Sequence, residues 1–222
     1  MFYRNPATNS VGGIYYEGTN ANNGEVAIQY NSTSVCTAHV HQWGVFPMFT
    51  PGDLWAVSIF TDYYVAPTSG QPPFELGDLP FNIMVCDSQT QEDINNSPYG
   101  YAYIVVPNDV QAFKSHLATL QDKRKRKELN EAMEYLYSVP TSSYSTTYNW
   151  NTRNQEDLAK VFLQFINNNS NNSNMTNFDV SLYRIKFDAN KNVTGNWEQL
   201  SLPNPTNSTS TNAELIKTPC NN

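Results

Sequence analysis

Short apolar and alternating runs dominate the first half of the chain. They are bounded by Gly, Pro, Asn and Asp, which is the pattern of β-strands joined by turns. The runs lie at Gly12–Glu17, Glu25–Tyr30, Ser34–His41, Phe81–Cys86 and Tyr101–Val106. The first two flank the turn-forming sequence GTNANNG, which predicts a hairpin.

The spacing of apolar residues then changes to the helical period. The apolar sets are Val110, Phe113, Leu117 and Leu120, then Leu129, Met133 and Leu136, then Leu158, Val161, Phe162 and Phe165. Capping residues predict three helix starts. These are Thr50 ahead of Pro51 and Asp53, Asn108 or Asp109, and Thr152 paired with Gln155 as a capping box.

An Asn/Ser-rich stretch, NNNSNNSNMTN, follows the helical part and predicts a flexible linker. Beyond it, Val180–Phe187 and Thr194–Leu202 flank the turn-prone sequence DANKN and predict a second hairpin. The expected organisation is an α/β core over residues 1–107, a helical extension over 108–169, and a linker, β-hairpin and tail over 170–222.

Composition narrows the class of protein. The 222 residues carry a formal net charge of −7, which argues against a nucleic-acid binder because such proteins present a basic face. No apolar run approaches the roughly 20 residues of a membrane span, so we expect none. The high content of Asn, Ser and Thr favours a secreted or cell-surface protein. The first residues lack an export signal, so the protein is cytoplasmic, or its signal was removed, or Met1 is not the natural start.

Two further features leave alternatives open. Three cysteines, Cys36, Cys86 and Cys220, are too few for a disulfide framework. One disulfide with a leftover thiol and three reduced thiols are both compatible with the sequence. The basic run Lys123–Lys127 predicts a solvated helix face or an inter-helix turn, or else a patch for phosphate or an acidic partner.

The segment Thr37–Asp53, TAHVHQWGVFPMFTPGD, carries the candidate chemistry. His39 and His41 stand at i and i+2, so their side chains point to the same face of a strand. A short loop can return Asp53 to the same point. Two imidazoles and one carboxylate, with an open fourth position, form a ligand set of catalytic zinc. The metal-free alternatives are strand histidines without an ion and an ordinary helix cap formed by Thr50 and Asp53.

The same segment resembles the signature of the JAMM/MPN metalloproteases, H-x-H-x7-S-x-x-D. Here His39 and His41 are followed by Thr50 and Asp53, with one more residue in the spacer. It is more similar still to bacterial JAB-like domains of the DUF4329 type, which pair an HTH strand with an FSPGD turn, as AHVH and FTPGD do here. VGGIYYEG upstream and YAYIVVPNDVQAF downstream resemble the strands that open and close that domain. The resemblance covers residues 12–113.

This resemblance implies a JAMM/cytidine-deaminase-like mixed sheet flanked by helices, with a helical extension and a small C-terminal β-hairpin outside the matched part. It implies that His39, His41 and Asp53 bind Zn²⁺ and that Thr50 donates a hydrogen bond to the tetrahedral intermediate. The reaction that it implies is hydrolysis of a peptide or isopeptide bond.

One family residue is not at its expected position. A Glu just before the Gly-Gly strand acts as the general base in these domains, but this chain has Asn9, Ser10 and Val11 there. Glu17 and Glu25 are the nearest carboxylates and are the candidates to replace it. The alternative is a catalytically inactive JAMM-like module for binding or assembly in a bacterial surface or secretion complex. The expected partners are a peptide or protein substrate, or the other members of such a complex.

Overall fold

The computed structural model describes residues 2–5, 10–14, 34–41, 46–61, 79–138, 153–166, 178–203 and 214–220. The strands are β1 (Phe2–Asn5), β2 (Ser10–Ile14), β3 (Ser34–His41), β4 (Phe81–Cys86), β5 (Gly100–Pro107), β6 (Val180–Phe187), β7 (Val193–Ser201) and β8 (Ile216–Pro219). The helices are α1 (Pro51–Thr61), α2 (Gln91–Asn96), α3 (Val110–Lys114), α4 (Leu117–Gln121), α5 (Lys123–Ser138) and α6 (Gln155–Ile166).

The described strands form one mixed sheet in the order β2-β1-β3-β4-β5-β6-β7-β8. Only β3 and β4 pair in parallel, and the remaining described pairs are antiparallel. A parallel pair needs a crossover connection, and α1 provides part of it because it follows β3 in the chain and packs on both strands. The predicted mixed α/β class is therefore confirmed.

The hydrophobic core lies between one face of the sheet and the helices. Strand β4 alternates along its length, so that Met84 and Cys86 are buried while Ile83 and Val85 are half-buried. Helix α6 contributes the predicted apolar stripe, of which Phe162 is fully buried. Strand β3 therefore has a helix-covered face and an opposite face, and this distinction determines which of its side chains reach the candidate site.

The C-terminal hairpin predicted from the sequence is present as β6 and β7. Strand β6 pairs with β5 along its whole length, so the hairpin extends the same sheet. The linker at 167–177 lies outside the described residues. So does most of the first predicted hairpin, of which only the part up to Ile14 is described, in β2. Strand β1, which pairs with β2, was not predicted.

Two helix starts confirm the capping principle, one of them at a different residue. Asp109 caps α3 as predicted, accepting hydrogen bonds from backbone N–H groups of the first turn. Helix α6 begins at Gln155, and Asn154 caps it by accepting from the Asp157 N–H at 2.9 Å. The predicted cap, Thr152, lies outside the described residues.

A helix that the sequence did not predict, α2, lies between β4 and β5, where only turns were expected. Thr90 and Asp93 form a capping box at its start. Asp93 Oδ2 accepts from Thr90 in this box, and Asp93 Oδ1 accepts a hydrogen bond from the backbone N–H of Gln155 at 2.9 Å. Local capping and this contact with α6 stabilise a helix whose own sequence, QEDINN, is almost wholly polar.

The apolar residues from 110 to 120 predict one helix, but the structure has two, α3 and α4. The break lies at Ser115 and His116. Two i→i+3 hydrogen bonds, Ser115 N–H to Ala112 O and His116 N–H to Phe113 O, both 3.0 Å, tighten the chain there. Val110, Phe113 and Leu120 are buried as the periodicity predicts, but periodicity does not register an interruption of the helix.

The basic run Lys123–Lys127 forms the first turns of α5. Arg124 makes an i,i+4 ion pair with Glu128 at 3.0 Å. The guanidinium of Arg126 lies 4.3 Å from the centre of the Trp55 ring on α1. These contacts are those of a solvated helix face with one cation packed against the neighbouring helix.

A buried arginine joins α6 to the C-terminal strands. Arg184 on β6 is 1% exposed, and its Nη2 lies 3.0 Å from Glu198 on β7 and 3.7 Å from Glu156 on α6. Glu156 also forms an ion pair with Lys217 on β8. Burial raises the pKa of Glu156, but Lys217 first and then Arg184 and Lys160 outweigh it, so the pKa is lowered.

We predict that Glu156→Gln reduces stability near neutral pH and that the difference from wild type disappears in acid. The pKa of Glu156 is lower in the folded chain than in the unfolded chain. The contribution of Glu156 to the free energy of unfolding is therefore present above its ordinary pKa of 4.5, and it is lost as the pH falls through its pKa in the folded chain. Urea midpoints of both proteins between pH 7 and pH 3 measure this. A difference independent of pH would contradict it.

Candidate metal centre

Strand β3 carries both histidines on the face that the helices cover. Thr37, His39 and His41 share this face because side chains alternate along a strand, whereas Val40 is 62% exposed on the other. His39 and His41 are in register with buried residues of the parallel strand β4. The i, i+2 spacing predicted from the sequence is thereby confirmed as a shared face.

Asp53 reaches the same point from the first turn of α1. Thr50 precedes this helix as predicted, and its N–H and hydroxyl donate to Asp53 Oδ2 at 2.7 and 2.9 Å. The other oxygen, Oδ1, lies 3.1 Å from His39 Nε2. The two carboxylate oxygens therefore have different partners, because one caps the helix and the other faces the histidines.

The three side chains form a compact group. The Nε2 atoms of His39 and His41 are 2.9 Å apart. One potential ligand atom from each of His39, His41 and Asp53 lies within 4.8 Å of the others, so the group can hold a metal ion. The side chains of His39 and Asp53 retain 24% and 17% of their exposure, which leaves one side of the group open to solvent.

The second nitrogen of each ring faces an oxygen acceptor. His41 Nδ1 contacts the backbone carbonyl of Phe46 at short range, and His39 Nδ1 lies 3.2 Å from Asn82 Oδ1. Each Nδ1 must therefore carry a proton. In the neutral rings both Nε2 atoms then present lone pairs, directed at each other and at a carboxylate. Lone pairs placed this close repel one another and the carboxylate, and a positive charge among the three groups relieves that repulsion.

The pKa shifts of His39, His41 and Asp53 are consistent with a positive charge in the group. Burial lowers the pKa of His39, but the charge and hydrogen bond of Asp53 outweigh it, so this pKa is raised. Burial lowers the pKa of His41 more than Asp53 raises it. Burial raises the pKa of Asp53, but the two imidazoles and the Thr50 N–H lower it by more, so this pKa is lowered overall. The raised pKa of His39 and the lowered pKa of Asp53 both favour a carboxylate beside a cation, which is either a proton on His39 or a metal ion.

Aromatic side chains form the inner wall of the group. Phe49 is fully buried, and its ring centre is 6.3 Å from that of His39 and 5.9 Å from that of Phe162 on α6. Phe49 therefore gives the group an apolar wall on its core side.

The structure brings together four of the six residues predicted for the site. His39, His41 and Asp53 converge, and Thr50 lies next to Asp53. The Thr50 hydroxyl donates to Asp53, so it must rotate away from that carboxylate to serve any other acceptor. Glu17 and Glu25 lie outside the described residues.

Two contributors were missed by sequence reasoning. One is the carbonyl of Phe46, for which no side-chain signal exists. The other is Asn82, which is 1% exposed on β4. A lone amide in the apolar strand FNIMVC is a usable signal, because a buried polar side chain needs hydrogen-bond partners.

No protein-family model, curated protein or solved structure matches this chain. The JAMM-like identity is therefore a prediction that depends on the motif and its setting. Among the described helices, none is long and apolar enough to cross a membrane.

Proposed function

We propose that this protein is a JAMM-like zinc-site protein with His39, His41 and Asp53 as ligands. The observation that carries the proposal is the 2.9 Å approach of two Nε2 atoms whose rings both direct Nδ1 at an oxygen acceptor. Two adjacent lone pairs and a carboxylate oxygen repel one another unless a cation lies among them. Two imidazoles and one carboxylate are the donor set of an open zinc site, and the solvent-facing side leaves room for its fourth position.

We further propose hydrolysis of a peptide or isopeptide bond at this site. Zinc bound there supplies Lewis acidity at an open coordination position. In this proposal the Thr50 hydroxyl turns from Asp53 towards the oxyanion of the tetrahedral intermediate. Glu17 or Glu25 takes the proton of the attacking water, since that step needs a general base.

A second candidate function is a metal-binding module without activity. The observation that favours it is the start of β2, where Ser10 and Val11 occupy the place of the family's Glu and offer no carboxylate. The carboxylate that shifts the pKa of both histidines is Asp53, itself a proposed ligand. Such a protein binds zinc and partner proteins in a surface or secretion complex.

Metal analysis and hydrolysis assays test these proposals together. Protein purified without chelator or a metal-affinity tag is expected to carry close to one zinc ion per chain. The metal-free form should take zinc up again on titration. Wild type, Glu17→Gln and Glu25→Gln are then assayed on peptide and isopeptide substrates at equal zinc content.

The outcomes separate the two candidates. Zinc uptake with hydrolysis that is lost in one Glu variant supports the enzyme and identifies its base. Zinc uptake without hydrolysis supports the binding module. A chain that takes up no zinc, and whose melting temperature zinc does not change, would overturn the metal proposal itself.

A further inference from the structure

Asn82 is the one amide on the helix-covered face of β4, where its neighbours Met84 and Cys86 are apolar. It is 1% exposed, and burial of an amide is costly unless its donor and acceptor are both satisfied. Its hydrogen-bond partners Thr37, His39 and Asp53 belong to the metal centre or lie beside it, unlike those of the packing residues around it.

The orientation of the Asn82 amide is determined by its contacts. Its Nδ2 donates to the backbone carbonyl of Asp53 at 3.2 Å, and a carbonyl can only accept. Its Oδ1 therefore faces β3, where it accepts from the Thr37 hydroxyl at 2.9 Å and lies 3.2 Å from His39 Nδ1. Because that oxygen can only accept, His39 Nδ1 must donate.

We infer that Asn82 is a positioning residue that fixes the tautomer of His39 and its spacing from Asp53. The inference rests on the proposed zinc site and deepens it. A free neutral histidine in water prefers to carry its proton on Nε2, which would block that nitrogen as a ligand. Asn82 holds the proton on Nδ1 and leaves the Nε2 lone pair directed at Asp53 and His41.

The same amide also sets the distance between two ligands from different elements. Its oxygen binds His39 on β3, and its nitrogen binds the main chain of Asp53 in the first turn of α1. One rigid group thus spans the two elements that must meet at the ion. Hydrogen bonds to the outer nitrogen of a ligand histidine typically change metal affinity by about 10–100-fold.

The direct test reads the tautomer in the absence of metal. Histidine labelled with ¹⁵N in chelator-treated protein is examined by long-range ¹H–¹⁵N correlation, at a pH where both rings are neutral. In wild type we expect the proton on Nδ1 of both histidines. In Asn82→Leu we expect His39 to shift towards the Nε2–H form while His41 does not change, because the Phe46 carbonyl still holds its proton.

Two matched variants keep the test decisive if Asn82→Leu folds poorly. Asn82→Asp retains an acceptor for His39 Nδ1, so its tautomer should be that of wild type. Thr37→Val removes the other hydrogen bond to the Asn82 oxygen and leaves the bond to His39. In this variant the His39 tautomer should be that of wild type, and the zinc affinity should change by less than about threefold. A His39 protonated on Nε2 in Asn82→Asp overturns the inference.

Zinc titration provides the second readout. We expect Asn82→Leu to bind zinc about 10–100-fold more weakly than wild type. Unchanged affinity together with an unchanged His39 tautomer would overturn the positioning role. If wild type binds no zinc, the proposed function fails, while the tautomer measurement on the metal-free protein still decides what Asn82 does.

Discussion

Asp53→Asn should weaken zinc binding about 100-fold or more and leave helix α1 in place. Asp53 Oδ2 accepts from Thr50 to cap the helix, and Oδ1 faces the histidines at 3.1 Å from His39 Nε2. An asparagine can keep the cap with its oxygen, but it turns an amide donor towards the histidine lone pairs. Loss of one ligand should cost about a quarter of the roughly 10–16 kcal/mol of a zinc site, hence about 100-fold or more in affinity.

Calorimetric titration with zinc and chemical denaturation of the metal-free protein measure the two effects separately. Metal-free Asp53→Asn should unfold within about 1 kcal/mol of metal-free wild type, because the cap is retained. Asp53→Ala should lose both zinc and the cap. Thr50→Val is the control for the cap hydroxyl, since it retains the carboxylate and should retain zinc. Tight zinc binding by Asp53→Asn would remove Asp53 from the ligand set.

Gly100→Ala should be among the most destabilising single substitutions in the described sheet. Gly100 begins β5 with φ +139°, a backbone conformation that residues with a side chain rarely adopt. A Cβ there would lie 2.2 Å from the backbone oxygen of Cys86, which cannot move without displacing β4. The strain and the clash together predict a loss of about 3 kcal/mol or more.

Gly195→Ala is the matched control. Gly195 also has a positive φ, +73°, but no atom lies within 4 Å of the added Cβ. Its replacement should therefore cost only the backbone strain, about 1–2 kcal/mol. Urea denaturation of both variants gives the comparison. Equal losses at the two positions would contradict a role for the close approach of Gly100 to Cys86.

The strands that the sequence predicts best are those with a strong local pattern. The bounds of β3 and β4 agree with the apolar and alternating runs that predicted them. Helix α2 was missed because its residues are polar and part of its support comes from Gln155, 62 positions away in the chain. The break between α3 and α4 was missed because periodicity indicates which face is buried and not where the backbone turns.

The candidate site divides in the same way. His39, His41 and Asp53 could be singled out because their ligand chemistry and spacing are written in one short segment. Asn82 could not, since it lies 43 residues from His39 and only the pairing of β3 with β4 places it there. The role of the Phe46 carbonyl is a property of the loop backbone, which no residue type encodes.

The sequence by itself determined which side chains can act as ligands, that two of them share a strand face, and that a helix begins beside the third. These are consequences of local geometry, with a period of two on the strand and capping at the helix start. The tertiary structure alone decided which nitrogen of each histidine could hold an ion. That choice depends on two acceptors, one across the sheet and one on a loop, because a tautomer is set by what the other nitrogen contacts.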